Sequence, residues 1–291
     1  MNRLLSRLGT LRLNSYVLYK LKRNPTTIMG LVILAGLLIV AVVGPYVVPY
    51  NPTRINLEAT FLPPSLSHLM GTDYVGRDIF SRVIAATRLD LEMALAVVAF
   101  AACVGSTLGL VAGYWPRRLG EGLMRVADVF MSFPDLVLAM AVVALLGGGV
   151  FNAMIAIAFI AWPTYARLAR AQVLQIRQEL YVESARAIGS SDRRIIFGEI
   201  LPVAVPSLLV QASVQVGQII IVAAALGFLG LGARPPTPEW GLMASDGLPY
   251  LTSGQWWIST FPGLAILVAA LGFNLTGDGL RDILDVTARI R

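Results

Sequence analysis

The feature that most constrains this chain is its first apolar run. Residues 28–48 carry no charged side chain, and about 20 such residues, rising 1.5 Å each, cross the hydrocarbon core of a bilayer. A signal peptide is excluded on three grounds. The polar lead is too long, the apolar core is too long, and no small-x-small cleavage site follows. The run therefore reads as an uncleaved first helix. Five further runs follow, at about 91–113, 125–146, 150–167, 205–229 and 258–278. Gly147-Gly148-Gly149 makes a tight turn between the third and fourth. Six crossings put both termini on the same side. Hydrophobic residues form 56% of the chain and charged residues 14%, where a soluble domain carries about 25% charged. The expected class is an all-α polytopic membrane protein with no independent soluble domain.

The positions of the basic residues decide what the net charge of +6 means. With the N-terminus in the cytoplasm, 18 basic residues lie inside and 5 outside, the latter being Arg54, Arg77, Arg82, Arg88 and Arg234. That asymmetry is the positive-inside rule, and it leaves no case for nucleic acid. Trp115 and Trp162 suit an inner aromatic belt, and Tyr46, Tyr50, Trp256 and Trp257 an outer one. In the tail, Leu4, Leu8 and Leu11 share a helical face between basic residues. The tail reads either as a helix lying on the inner leaflet or as a frayed basic segment.

Absences narrow the chemistry. One cysteine, Cys103, allows no internal disulfide, and one histidine, His68, allows no paired-histidine zinc site. The two lysines, Lys20 and Lys22, follow no glycine loop, so the chain lacks a P-loop. Any ATP-driven step must use another chain's ATPase.

The stretch between the fourth and fifth runs is unusually charged. Residues 181–189 read as a helix ended by Gly189, whose glycine tolerates the left-handed conformation. Ser190 or Ser191 can cap a second helix from Asp192 to Leu201, with Asp192 favoured in its first turn by the helix dipole. Pro202 is expected to end that helix and start the return into the bilayer. The product is a helix–glycine–helix knob. It reads either as a docking element for a cytosolic partner or as an amphipathic loop on the membrane.

Here the residues resemble a known family. Glu183-Ser184-Ala185, Gly189 and Leu201-Pro202 resemble the E-A-A-x3-G … L-P coupling loop of ABC importer permeases, with Ser184 in place of the usual middle alanine. His68-Leu69-Met70-Gly71-Thr72-Asp73, Gly76-Arg77-Asp78 and Ser81-Arg82 are similar to an H-x-x-G-T-D-x-x-G-R-D-x-x-S-R segment. Phe228 to Gly232, Pro235 to Gly241 and Asn274 to Asp282 match further motifs. Together they resemble the C-type permease subunit of dipeptide, oligopeptide and nickel importers. Val286 departs from the pattern, where a proline often follows the Leu-Asp pair.

The resemblance implies a type I ABC importer permease fold over residues 89–280. A cytoplasmic tail (1–27), a first helix (28–48) and an external loop with an amphipathic helix (49–88) precede it, and a cytoplasmic tail (281–291) follows. It implies a coupling loop over 168–202. The implied partners are a homologous B-type permease, two ABC ATPase subunits, an extracytoplasmic solute-binding protein and the bilayer of the bacterial cytoplasmic membrane. This chain would bind no cofactor of its own, ATP and Mg being used by the ATPases. Transport would proceed by alternating access. Di- and oligopeptides lead as solutes, with nickel chelates, glutathione and opine-like compounds open.

On the outer side, Asp73 and Arg77 are four apart, as are Asp78 and Arg82. On a helix such pairs add a few tenths of a kcal/mol, with Ile79, Phe80, Val83 and Ile84 lying on the membrane surface. The segment Gly71, Thr72, Asp73, Gly76, Arg77, Asp78 reads as an outer rim that meets a partner, or as a cap joining helices one and two. His68 reads as structural. The proline-rich stretch Arg234–Gly241 suits a re-entrant or capping loop. Gln211, Gln215 and Gln218 share a helical face, which lines a pathway or bonds to the partner permease. Asp90 and Glu92 open the second helix as a candidate outer mouth favouring cationic solutes, or as a solvated helix start. A secondary transporter or channel would need mid-membrane ions or broken helices, and a membrane enzyme clustered Asp, His or Cys; outside the 125–146 run, which holds Asp128 and Asp135, no ionisable residue lies near the middle of a run, and no such cluster appears.

Overall fold

The computed structural model describes residues 24–289. The proposed tail helix around Leu4, Leu8 and Leu11 lies outside the described residues. Helices dominate the described residues, and the only strand-like pairing among them is an isolated bridge between Thr72 and Asp78. Five helices are long and apolar enough to cross a membrane, and a bent pair makes a sixth crossing if its two halves share one.

The first helix, α1 (Pro25–Val47), starts where Asn24 caps it and Pro25 takes the first helical position. Most of its surface is exposed and apolar, as suits a helix against lipid or a partner. The second, α2 (Ile79–Tyr114), begins well before the expected residue 91. Asp78 caps it by accepting from Ser81 N at 2.8 Å and Ser81 Oγ at 2.7 Å, and that cap sets the start. Ile79 and Val83 are therefore buried rather than spread on a membrane surface.

The expected third crossing is broken. α3 (Arg118–Met131) and α4 (Asp135–Leu146) meet at 90°. Pro134 offers no N–H and disfavours helix at Phe133, and Ser132 Oγ donates to Val129 O at 2.7 Å. At 1.5 Å per residue α4 is only about 18 Å long, short of a full crossing. Gly147 and Gly149, with φ of +87° and +146°, make the turn into α5 (Val150–Ile176).

After a short helix, α6 (Leu180–Ala187), the chain enters α7 (Asp192–Phe228). α7 contains a π-helical turn at Ile195–Ile200 and runs straight through Pro202. Pro202 thus does not end a helix. It occupies the N-terminal turn of the regular stretch Leu201–Phe228, where the wider preceding turn accommodates its missing donor. α8 (Trp240–Gly247) is a short helix between α7 and α9, and α9 (Trp257–Arg289) carries helix through most of the expected C-terminal tail.

The most extensive helix pair is α2 with α5. Gly105, Gly109 and Gly113 line α2 at four-residue spacing. A Cβ at Gly105 would strike Trp162 O, one at Gly109 Ala166 O, and one at Gly113 Val173 Cβ. Small residues let the backbones close up, the main source of helix association where lipid removes the hydrophobic drive. Around this pair, α9 packs on α7 and α1, and α8 wedges among α9, α7 and α2.

Candidate functional site: the knob and the clasp

The knob between α5 and α7 is built on a small apolar core. Val182 of α6 is fully buried with Val173, Ile176, Ile195, Ile200 and Ala204. Two polar ties fix it to the end of α2. Tyr114 Oη donates to Asp192 Oδ1 at 2.6 Å, and Arg177 Nη1 donates to the carbonyls of Gly113 at 3.2 Å and Tyr114 at 3.4 Å. Gly189 has φ of +79° with nothing within 4 Å of its missing Cβ, so backbone conformation rather than space requires glycine there. Ser191 caps the next turn, accepting from Arg194 N at 3.4 Å. Glu183, Ser184 and Ile188 face out, Ala185 is half-buried on the apolar core, and Pro202 is exposed beside half-buried Leu201. An open recess of about 440 Å³ beside the knob is lined by Ser191, Arg193, Arg194 and Phe197.

On the opposite end of the bundle, residues 49–78 fold into a clasp with one short turn of helix at Leu57–Ala59, and within the 49–88 segment regular helix begins only at Ile79. Thr72 Oγ1 donates to Ala59 O at 2.5 Å and accepts from Leu62 N at 2.8 Å. Asp73 accepts from Val75 N, Arg77 N and Arg77 Nε at 3.0, 2.9 and 2.6 Å. Arg77 Nη2 also reaches Asp246 of α8 at 3.5 Å. Gly71 and Gly76 both have positive φ, and a Cβ on Gly76 would overlap Asn56 O.

Several sequence expectations change here. Asp73 and Arg77 do pair, but in a turn and not on a helix. The side chains of Asp78 and Arg82 do not pair, and only the backbone bond from Arg82 N to Asp78 O, at 3.1 Å, joins the two residues. Asp78 takes the Ser81 cap and His68 Nδ1 at 2.8 Å, while Arg82 Nη1 donates to Pro52 O at 3.0 Å and Pro236 O at 3.2 Å. Trp257 is no belt residue: it is buried and donates to Thr72 O. Trp162 is likewise buried, against Met124, Ala127 and Ala166.

Asp90 lies inside α2 rather than at its start. It is 6% exposed, and its Oδ2 accepts from Trp240 N at 3.1 Å. Glu92 is exposed and pairs with Arg88 at 2.8 Å. The glutamine stripe divides. Gln211 Nε2 donates to Gln215 Oε1 at 2.9 Å, Gln215 is buried and Gln218 is exposed.

Residues 105–290 match the family described as "Binding-protein-dependent transport system inner membrane component". The chain belongs to this family of inner-membrane permeases. Residues 13–64 also match the "N-terminal TM domain of oligopeptide transport permease C". The permease is 45% identical over 272 residues to the probable D,D-dipeptide transport system permease protein DdpC of Escherichia coli K12, covering 94% of this chain and 91% of that one. It is 42% identical to the dipeptide transport system permease protein DppC of Alkalihalophilus pseudofirmus, covering 91% and 87%. The glutathione transport system permease protein GsiD of Pectobacterium atrosepticum is 41% identical, with 91% and 88% covered. In fold, the permease is similar to a chain of the MetNI methionine ABC transporter in an inward-facing conformation, with a TM-score of 0.59 at 19% identity, covering 70% of this chain and 97% of that one. The fold is that of a type I ABC importer permease, and the chain is a transport subunit of a binding-protein-dependent importer.

Three features of the permease escaped the sequence reading. The glycine ladder of α2 was legible as Gly105, Gly109 and Gly113 at four-residue spacing. Asp246 carried no local signal, because its partner Arg77 is 169 residues away. Burial pushes the Asp246 carboxyl above its ordinary value, and Arg77 and Arg82 oppose that shift. Glu239 stood inside a motif, but its role as the cap of α8 depends on the fold.

Proposed function

We propose that this chain is one of two permeases in an ATP-driven importer of di- and oligopeptides, and that its knob docks on the ATPase subunits. In this reading the N- and C-termini are cytoplasmic, on the side rich in basic residues. A homologous permease completes the pathway, a binding protein delivers solute to the clasp side, and two ATPases supply ATP and Mg chemistry that this chain lacks. Glu183, Ser184 and Ala185 present the docking face, Gly189 turns the chain, and Leu201 and Pro202 carry motion into α7. Gln211, Gln215 and Gln218 stand on the pathway or on the partner-permease interface.

The observation that supports this reading is the attachment of the knob. Through the ties of Asp192 to Tyr114 and Arg177 to Gly113, a push on α6 reaches the ends of α2, α5 and α7 together. A loosely held loop would absorb the push. Closing of an ATPase pair would then switch the bundle between inward-open and outward-open states, and hydrolysis would reset it. The peptide assignment rests on relatives named for dipeptides, D,D-dipeptides and glutathione.

The test is reconstitution. The complex carrying this chain is purified from its native membrane and placed in proteoliposomes with its binding protein. Uptake of labelled dipeptide should require ATP and the binding protein. Parallel runs with glutathione and a nickel chelate rank the solute classes. Uptake by this chain alone, driven by an ion gradient without ATP, would overturn the assignment.

A further inference from the structure

Two buried carboxylates converge on one helix end. Asp90 of α2 accepts from the backbone N–H of Trp240 at 3.1 Å. Glu239 accepts from Gly241 N at 2.7 Å and Leu242 N at 2.8 Å. Three consecutive amides of the first turn of α8 are therefore held by two carboxylates, which places these groups side by side. Neither reaches water to any extent, with Asp90 6% and Glu239 2% exposed. Trp240, 1% exposed, donates its indole N–H to Val83 O at 3.1 Å. Gly227 of α7 leaves the room that Glu239 fills, because a Cβ there would collide with the carboxylate.

Among the described residues, no ion pair joins a cation to these two carboxylates. On α2, Arg82 pairs toward Asp73 and bonds to Pro52 O and Pro236 O, while Arg88 pairs with exposed Glu92. Arg77 is engaged by Asp73 and by Asp246, near the far end of α8. The packed stretches of α7 (201–228) and α9 (257–277) contain no charged residue. Amide dipoles stabilise one negative charge at a helix N-terminus. Two like charges in one dry pocket repel, and such pairs retain a proton.

We propose that Asp90 and Glu239 are a positioning pair that docks α8 onto α2 in a singly protonated form, so that docking of this outer helix is proton-linked. Burial pushes the Glu239 carboxyl up to about 7, against the opposing amide bonds of Leu242 and Gly241. A raised carboxyl binds its proton more tightly in the docked state than in the open one. Docking is therefore strongest below the ordinary glutamate value of about 4.3 and weakens as pH rises to about 7. The Arg77–Asp246 contact holds the far end, so opening is local to the first turn.

The test is hydrogen exchange on the assembled importer in detergent, from pH 5 to pH 8, with rates corrected for intrinsic exchange. It needs no solute, so it is independent of the substrate assignment. In the wild type, the opening constant of amides 240–247 should rise at least about tenfold across that range. Peptides from 105–113 on α2 serve as the control and should stay flat. Asp90→Asn keeps an acceptor for Trp240 N but cannot ionise, and should abolish the pH dependence. Glu239→Gln should do the same, and reads the pair independently if Asp90→Asn fails to assemble. A flat wild-type profile, or the wild-type profile retained in either variant, would overturn the proposal.

Discussion

The indole nitrogen of Trp257, at the start of α9, donates to the backbone carbonyl of Thr72 at 3.1 Å. The bond joins residues 185 apart in sequence and fastens the clasp to the last crossing. Thr72 in turn holds Ala59 O and Leu62 N with its hydroxyl. Thr72→Val keeps the shape and removes the hydroxyl, leaving Leu62 N and Ala59 O without that partner. A destabilisation of about 1–3 kcal/mol is expected, read as a lowered unfolding midpoint in detergent. Thr72→Ser should restore most of it.

Asp73 gathers three donors and faces Arg77, both nearly fully buried. Asp73→Ala leaves two amides without their acceptor and the buried Arg77 guanidinium with only the 3.5 Å contact to Asp246. The expected cost is about 3–5 kcal/mol, because removing one partner of a buried pair leaves a charge uncompensated. The yield of folded, monodisperse protein checks this, and an unchanged yield and unfolding midpoint would contradict it.

The α2–α5 contact depends on absent side chains. Gly109→Leu drives a branched side chain into Ala166 O and the Ala169 Cβ, and is expected to cost at least about 3 kcal/mol by overpacking. Gly122→Ala is the paired control. Gly122 lies in α3 with nothing within 4 Å of its Cβ position, so alanine should stabilise by up to about 1 kcal/mol through helix propensity. Thermal unfolding of the two variants should shift in opposite directions.

The knob separates stability from coupling. Glu183 is exposed, so Glu183→Arg should change stability by no more than about 0.5 kcal/mol. It should nonetheless leave ATP hydrolysis running with little uptake in proteoliposomes. Gly189→Pro demands a φ near −65° where the chain has +79°, and should break the turn while membrane insertion persists. Normal uptake by both variants would remove the docking role.

Some of the structure was readable residue by residue. The Gly147–Gly149 turn, the left-handed Gly189 and the Ser191 cap each depend on a few consecutive residues. The bend at Pro134 was readable in principle, since proline acts locally, but the apolar residues on both sides of it made residues 125–146 read as one run despite Arg125, Asp128 and Asp135. The early start of α2 was hidden because the Asp78 cap precedes a stretch that mixes charge with apolar residues, and average hydropathy favoured the cleaner run from residue 91.

By itself, the sequence determined the helical class, the membrane-length runs, the sidedness expected from its arginines, and the family motifs. All of these are properties of composition or of neighbours along the chain. The fate of the charges at the clasp end was decided only in three dimensions. Asp90 meets an amide 150 residues away and Arg82 a carbonyl 154 residues away. A carboxylate on a helix surface is solvated unless another element covers it. Here α8 covers Asp90, and burial turns an expected surface charge into half of a dry carboxylate pair.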